Sequence, residues 1–479
     1  MLLKDYITLN KNLHRNIFFS GIAFNSSKVK KNNIFFAVKG NKYDGNNYIA
    51  QAIKKGAKVI ISENKIVLNK NENVLFLRSS NVRKLLSKVS YKIFSQKPKT
   101  LVGVTGTNGK SSIADFYYQI LKFNNKKVAS IGTLGVKSKK INLSLSNTTI
   151  DPIKLGRLLT KLKKNKIENV IMEASSHGLQ QNRLDGLKFN SGIFTNLSHD
   201  HLDYHKNFKN YLNAKLYLFK NLIKKKGKII SDKSLPEFKR IKKIALNKKL
   251  TLKSIFDYSK NFKVLSHSFI GDSQLLKIRY KNLTTDIKLN LIGKIQIKNL
   301  LMSIIAANND ELSLKKIFSV IPKIKPIEGR FEKIGEIKNK SRVILDYAHT
   351  PEALKICLLN LKLQFPKKKI VLLFGCGGNR DQNKRSKMGK IASNYSDEIY
   401  LTDDNPRLEN PKKIRSEIKK GIKKTKIIEI SNRAKAISKA IKKLNTGDIL
   451  LVAGKGHEII QDFGNKKIYF SDKKIILRE

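Results

Sequence analysis

The densest chemistry in this sequence lies at Thr105, Gly106, Thr107, Asn108, Gly109, Lys110 and Ser111, between an apolar run from Leu101 to Val104 and a helical pattern. Glycines there let backbone amides close on phosphate oxygens at a helix N-terminus. Lys110 brings charge to the outer phosphates, and the Ser111 hydroxyl can reach Mg²⁺. ATP is the direct reading, although Val104 stands where the general phosphate-loop pattern has its first glycine. Glu173 closes a strand pattern from Val170, and His201 follows another that runs from Gly192 to Thr195. Both fall near the carboxyl edge of an open α/β sheet, where ligands bind, and the pair suits a divalent cation beside a nucleotide. Lys215, in Tyr211-Leu212-Asn213-Ala214-Lys215, sits on an apolar helix face. Taken alone, it reads as a lysine that packs its stem and reaches water with its head.

These residues need a scaffold, and the pattern along the chain supplies one. Residues 1–97 mix short apolar runs, Ile34 to Val38 and Lys58 to Ile61, with Gly40, Gly45 and Gly56, which predicts a small N-terminal α/β unit. A polar stretch from Gln96 to Thr100 marks a boundary. In residues 98–326, strands at Leu101 to Val104, Val128 to Ile131, Val170 to Met172 and Gly192 to Thr195 alternate with helices at Ile153 to Lys164 and Phe208 to Phe219. That alternation predicts a central, mostly parallel sheet of the phosphate-loop type. Shorter strand-like pieces fill residues 230–290, and Lys298 to Ala307 reads as helix. A linker from Pro322 to Gly329 leads to residues 327–479, a third, Rossmann-like open sheet with strands at Arg342 to Leu345, Ile370 to Phe374, Glu398 to Thr402 and Ile449 to Val452. No internal repeat is visible, and Lys224 to Lys228 reads as solvated surface.

Composition narrows the class. The 479 residues suffice for three domains, and 40% hydrophobic content with few Pro and Gly marks a folding chain. Lys and Arg number 98 against 36 Asp and Glu, a net charge of +62 that puts nucleic-acid binding on the table. The charge is smeared along the chain, however, and lysine outnumbers arginine several-fold in company with abundant Asn and Ile. That texture fits codon bias toward A and T better than a nucleic-acid face, which concentrates charge and draws on arginine. Two cysteines, Cys357 and Cys376, make no disulfide framework and point to a reducing, cytoplasmic setting. No run is long enough to insert in a membrane.

The Thr105–Ser111 string resembles the signature of the Mur ligases, ATP-dependent amide-forming enzymes of cell-wall precursor synthesis. Further segments resemble that family in the same order: Met172 to Leu179, Asn196 to His205, Asp346 to Pro351 and Gly375 to Asp381. The resemblance implies a peptide ligase that phosphorylates a substrate carboxylate with ATP and lets an amine displace phosphate. It implies Mg²⁺ held by Ser111, Glu173 and His201, and a catalytic set of Lys110, Glu173, His201 and Lys215. Lys215 resembles the family lysine that CO₂ converts to a carbamate, an anionic Mg²⁺ ligand. Asn299, Arg330 and Asp346 resemble residues around the nucleotide. Phe24, Ser26, Asn41, Lys42, Tyr43, Asn147, Thr148, Thr149, Ser175, Gln181 and Arg183 resemble positions that hold the uridine-diphosphate muramoyl peptide.

Asp404-Asn405-Pro406-Arg407 resembles the recognition motif of the branch that adds meso-diaminopimelate, and Ala453 to Glu458 resembles the same branch. A guanidinium fork suits the distal carboxylate of that amino acid, which lysine lacks. Arg380 and Arg407 would supply forks, with Asp404, Glu458 and Gly454 in the same pocket. Lysine addition, a folylpolyglutamate synthase-like activity and a basic nucleic-acid binder are the competing readings. A cytoplasmic monomer with small-molecule partners is expected. Two departures stand out: Asn25-Ser26-Ser27 replaces the family's Asp-Ser-Arg, and His199 replaces its usual arginine.

Overall fold

The computed structural model describes residues 1–8, 16–40, 43–64, 73–255, 262–280, 283–309, 311–335 and 339–479. The first sheet is parallel in the order β1 (Gly21–Ala23), β2 (Asn33–Phe36), β3 (Ala57–Ser62) and β4 (Leu75–Arg78), with α1 (Ile49–Lys54) and α2 (Val82–Ile93) beside it. Ile34, Phe35, Phe36, Val59, Ile60 and Ile61 are buried in succession, as expected of parallel strands covered on both faces.

The second sheet begins with β5 (Thr100–Thr105), which feeds α3 (Lys110–Phe123). It continues through β6 (Val128–Gly132), β7 (Gly135–Ser138), β8 (Asn142–Leu143), α4 (Pro152–Lys164), β9 (Asn169–Glu173) and α5 (Ser176–Gln180). Then come β10 (Phe189–Phe194), α6 (Leu202–His205), α7 (Phe208–Tyr217), β11 (Ile223–Ser231), α8 (Phe238–Asn247) and β12 (Thr251–Ser254). The strand order is β12-β11-β10-β5-β9-β6-β7-β8, with antiparallel pairing confined to the β6–β7–β8 end. β5 and β9 are therefore neighbours in the middle of the sheet, so their C-terminal ends, Thr105 and Glu173, emerge side by side. Asp151 starts α4 by accepting from the Lys154 amide, with Pro152 in the first turn.

A three-stranded antiparallel sheet, β13 (Phe262–Ile270), β14 (Ser273–Tyr280) and β15 (Leu283–Leu289), precedes α9 (Lys294–Ala307) and α10 (Leu314–Val320). α9 is buried nearly all round and shares one core with α3. The third sheet holds β16 (Glu332–Lys333), β17 (Arg342–Asp346), β18 (Ile370–Phe374), β19 (Glu398–Leu401), β20 (Lys426–Glu429) and β21 (Ile449–Ala453) in the order β16-β17-β21-β18-β19-β20. All its pairs are parallel except β16–β17. Its helices are α11 (Pro351–Gln364), α12 (Lys384–Tyr395), α13 (Pro411–Lys419), α14 (Arg433–Lys442) and α15 (Asp472–Ile476), and a hairpin of β22 (Ile460–Asp462) and β23 (Lys467–Tyr469) leaves its edge. Contacts from the β13–β14 turn brace this sheet. Asp272 pairs with Lys333 at 2.7 Å and with Arg342, and Gln364 donates to the Gly271 carbonyl at 2.9 Å.

Three local expectations change. The predicted helix from Phe208 to Phe219 is α-helical only to Tyr217, after which residues 218–222 form a π turn. Residues 230–290 contain α8, whose buried Ile241, Ile244 and Ala245 are masked in the sequence by interleaved lysines. Lys224 to Lys228 lies in β11, not in a freely solvated patch: Lys225 and Lys226 are exposed, but Lys224 bonds Asn190 Oδ1 at 3.2 Å and Lys228 bonds the Asn308 carbonyl at 2.6 Å.

Beneath the end of β21, Arg433 and Asp472 are both fully buried and meet twice at 2.7 Å, and the same guanidinium bonds the Ala453 carbonyl at 2.9 Å. Removing one partner of such a pair costs about 3–5 kcal/mol because the other charge stays buried. Asp472→Asn is expected to lower the calorimetric unfolding temperature of the C-terminal transition; an unchanged transition would contradict this role.

Candidate active site

The loop from Thr105 to Lys110 is shaped by two glycines and by the chain that follows β10. Gly109 has φ +86° and is the residue from which α3 departs, a conformation that favours glycine. Gly106 has φ +149°, and a Cβ there would lie 1.8 Å from Thr195 Oγ1. Residues 195–198 clamp the loop. Thr195 Oγ1 donates to the Asn108 carbonyl at 2.6 Å, the Asn108 amide donates to Asn196 Oδ1 at 2.9 Å, and the Thr107 amide to the Asn196 carbonyl at 3.0 Å. Lys110 curls over this loop, with Nζ 3.0 Å from the Gly106 carbonyl and 2.7 Å from that of Thr107.

Glu173 meets the loop from the neighbouring strand. Its Oε1 accepts from Ser111 Oγ and the Thr133 amide, both at 2.9 Å, and its Oε2 accepts from Thr133 Oγ1 at 3.1 Å. Lys215 is 1% exposed, so its head does not reach water as its helix face suggested. Its Nζ donates to the Gly106 carbonyl at 2.7 Å and lies 4.3 Å from the centre of the Tyr211 ring. Burial, reinforced by Lys110, holds the Lys215 amine well below the usual lysine range. Lys110 is also lowered, by burial and by Arg330, with Glu173 and Asp200 opposing.

His201 has φ +53° at the start of α6, and its Nε2 lies 3.4 Å from Asp200 Oδ2. Burial would raise the Asp200 carboxyl, but His201, His349, Lys110 and Lys384 together hold it below its ordinary value. Burial lowers His201, and burial with His201 beside it brings His177 down to about 4. Burial thus favours the neutral imidazole at both. The groups converge on a cavity of about 220 Å³ lined by Gly106 to Ser112, Glu173, His201, Lys215 and Arg330.

Arg330 rests over the Tyr347 ring at 4.3 Å, and its buried Nε has no partner, a donor left for an anion. Asp346 supports this corner from below: its Oδ2 accepts from the Phe331 amide and its Oδ1 from the Ala348 amide, both at 2.8 Å. Asn299 sits under Gly109, where a Cβ would meet its Oδ1 at 2.7 Å. Neither Asp346 nor Asn299 lines the cavity. Among the described residues no group of three or more His, Cys, Asp or Glu is arranged to hold a metal ion. Ser111 Oγ and Glu173, 2.9 Å apart, would supply oxygen donors of the kind that suits Mg²⁺ beside a bound nucleotide's phosphates.

The residues expected to hold the nucleotide-sugar peptide separate into groups. Phe24, Asn147, Gln181 and Arg183 line a cavity of about 230 Å³ between the first and second sheets, together with Arg83, which the sequence did not single out. Thr148 and Ser175 line the phosphate cavity. Thr149 is buried as a brace, donating to the Glu173 carbonyl at 2.8 Å and accepting from the Ser175 amide at 2.9 Å. Ser26 is buried against Gln51 at 2.6 Å, Tyr43 is exposed, and Asn41 and Lys42 lie outside the described residues.

A third cavity, of about 210 Å³, gathers Arg380, Asp404, Asn405, Arg407, Gly454 and Glu458. It shares Asp200, His201, Tyr347 and His349 with the phosphate cavity, so the two adjoin. Pro406 does not line the third cavity; its carbonyl lies where a Cβ on Gly378 would fall. Arg407 donates to the Gly378 carbonyl at 2.6 Å. Burial raises the Asp404 carboxyl against the pull of Arg433 and Lys455. His199 crosses to the third sheet, 3.2 Å from Asp381. A cleft of about 1400 Å³ runs between Glu173 on one side and Arg407 and Glu458 on the other. Tyr347 and His349 lie within the Asp346 to Pro351 motif, and the structure puts both at the junction of the two cavities.

A phosphate loop on a mostly parallel sheet, joined to an open sheet that carries a charged pocket, defines a nucleotide-using ligase architecture. The chain belongs to the Mur ligase family. It matches the Mur ligase middle domain over residues 104–307, the Mur ligase glutamate ligase domain over 329–456 and the Mur ligase family catalytic domain over 19–91. It is 39% identical to the UDP-N-acetylmuramoyl-L-alanyl-D-glutamate–2,6-diaminopimelate ligase of Rickettsia bellii, over 95% of this chain and 94% of that one. It is likewise 39% identical to the enzyme of the same name from Buchnera aphidicola subsp. Schizaphis graminum, over 96% and 95%. A solved structure of a ligase of that name superimposes with a TM-score of 0.71 at 27% identity, covering 100% of this chain and 98% of that one. MurF from Thermotoga maritima in complex with ADP shares the fold, with a TM-score of 0.60 at 18% identity over 95% and 96%.

Because Gly106 touches Thr195, Gly106→Ala must push the phosphate loop away from β10. The variant is expected to lose measurable ATP binding in a fluorescent-nucleotide titration and to melt at a lower temperature because of the strain; wild-type affinity would contradict the assignment.

Proposed function

We propose that this chain joins meso-2,6-diaminopimelate to UDP-N-acetylmuramoyl-L-alanyl-D-glutamate, cleaving ATP to ADP and phosphate in peptidoglycan precursor synthesis. The observation that carries this reading is the adjacency of two cavities: one built for phosphates, the other opposing Arg380 and Arg407 to Asp404 and Glu458. An amino acid with a carboxylate and an amine at each end matches that opposition. Lysine has no distal carboxylate to meet the guanidinium forks, so its addition is disfavoured.

In this reading the substrate carboxylate attacks the γ-phosphorus of ATP, ADP leaves, and the diaminopimelate amine displaces phosphate from the acyl phosphate. Lys110 and the amides of the loop at the start of α3 bind the transferring phosphoryl group, and Arg330 adds charge through its free Nε. Asp346 and Asn299 act behind these groups, fixing the Phe331 turn and the loop glycine. Mg²⁺, when bound, neutralises phosphate charge; Ser111, Glu173 and His201 would hold it with Lys215 as a carbamate. The amine of Lys215 is suited to that change: buried and held near Lys110, it is favoured as the neutral nucleophile that CO₂ requires. Phe24, Asn147, Gln181 and Arg183 would take the uridine end, and the large cleft would let the peptide reach Glu173. The reading includes domain divisions at 97/98 and 326/327, a cytoplasmic location and a monomeric enzyme with small-molecule partners.

The test is phosphate release by purified protein with ATP, Mg²⁺, bicarbonate and the muramoyl dipeptide, across candidate amino acids. Release with meso-diaminopimelate and little with L-lysine is expected; equal or greater release with lysine would overturn the acceptor assignment. Arg407→Ala removes a charge-assisted contact worth about 2–3 kcal/mol, so KM for diaminopimelate should rise roughly 30- to 150-fold with nucleotide affinity retained.

A further inference from the structure

Behind the amino-acid cavity lies a lysine that no role above uses. Lys455 follows β21, its side chain is 0% exposed, and it does not line the cavity. A lysine ammonium has three donors, and each is committed: to Asn405 Oδ1 at 3.1 Å, to Glu458 Oε2 at 3.0 Å and to the Ile460 carbonyl at 2.7 Å. None remains for a ligand, so Lys455 can act on the substrate only through its partners.

Those partners are two of the groups proposed to receive the amino acid. An asparagine amide can point either way, but a lysine only donates, so Lys455 fixes the oxygen of Asn405 toward itself. The Asp462 amide adds a second donor to that oxygen at 2.9 Å. The Asn405 amide nitrogen must then face Glu458 Oε2, which it reaches at 3.0 Å. With Oε2 holding two donors, Glu458 Oε1 takes only the Tyr347 hydroxyl, at 3.1 Å, and keeps capacity for a substrate ammonium. The third contact, to Ile460, anchors β22 at the edge of the pocket. That strand also holds the recognition motif, through Gln461 to the Asp404 carbonyl at 2.7 Å and through the Arg407 amide to the Asp462 carbonyl at 2.9 Å.

Electrostatics point the same way. Asp404 and Glu458 disfavour each other's charge, and burial disfavours both. Lys455 is the cation acting on both from inside the fold; Arg433, the other, is already bound to Asp472.

We propose that Lys455 is a positioning residue for amino-acid selection, its buried ammonium locking the Asn405 amide against Glu458 so that the carboxylate keeps Oε1 for the incoming ammonium. This rests on the ligase reading above. Lys455→Met keeps the length and removes the donors. Steady-state kinetics should show KM for diaminopimelate raised at least about tenfold, with kcat and the KM values for ATP and the muramoyl dipeptide held within about threefold. Lys455→Gln, which restores two of the three donors without the charge, should fall between Met and wild type, and it carries the same expectation if the Met variant does not fold. A diaminopimelate KM within twofold of wild type in either folded variant would overturn the proposal. So would constants for all three substrates that worsen together, since that marks a merely structural lysine. If the wild-type chain does not use diaminopimelate at all, the ligase reading fails first, and the two failures are distinguishable.

Discussion

Two lysine nitrogens meet on one carbonyl oxygen. Lys110 and Lys215 both donate to Gly106, at 3.0 and 2.7 Å, in a cavity where Lys215 has almost no contact with water. Two ammonium groups cannot share so confined a place cheaply, because like charges within a few ångströms repel strongly when water is excluded. Burial and Lys110 together push Lys215 toward the neutral amine, and the partnerless Nε of Arg330 adds further demand for an anion. The cavity is thus organised around missing negative charge, which phosphates and a modified lysine can both supply.

The scaffold exists to hold that arrangement in register. Because β5 and β9 are paired in the middle of the sheet, the phosphate loop and Glu173 share one edge, and Ser111 reaches Glu173 without distortion. Residues 195–198 after β10 clamp the loop from the other side, which is why Gly106 has no room for a side chain. The amino-acid pocket solves the opposite problem. There Asp404 and Glu458 are also held by cations placed beneath the cavity, apart from the Arg380 and Arg407 that line it. Arg433 is tied to Asp472 and Lys455 to Glu458, so the acids remain available above them.

Much of this was legible in the sequence where chemistry and spacing coincide. The phosphate loop, the strand-end Glu173 and the Asp404–Arg407 motif stand where the alternation of strands and helices put them. Other features were hidden for physical reasons. A lysine on an apolar helix face reads the same whether its head escapes to water or turns inward to a carbonyl, so the burial of Lys215 needed the tertiary packing of α7 against the loop. Asn299 and Asp346 resemble residues around the nucleotide; in the fold Asn299 lies beneath the loop glycine and Asp346 holds the Phe331 turn, placements that depend on side-chain direction. The group Ser26, Thr149 and Arg183 divides into buried braces and a cavity lining for the same reason. α8 escaped notice because lysines interrupt its apolar stripe. Those lysines, Lys239, Lys242 and Lys243 among them, are exposed and account for part of the +62 charge, while Lys215 and Lys455 are buried and partnered.

In the proposed reaction the pair of lysines at the Gly106 carbonyl favours Lys215 as the neutral amine that CO₂ can convert to a carbamate. Carbon-13 NMR of the protein in ¹³C-bicarbonate with ATP and Mg²⁺ tests it directly. A protein-bound carbamate signal is expected that is absent in Lys215→Arg and present in Lys110→Arg. No such signal in the wild-type protein under saturating bicarbonate, or a signal that persists in Lys215→Arg, would contradict it.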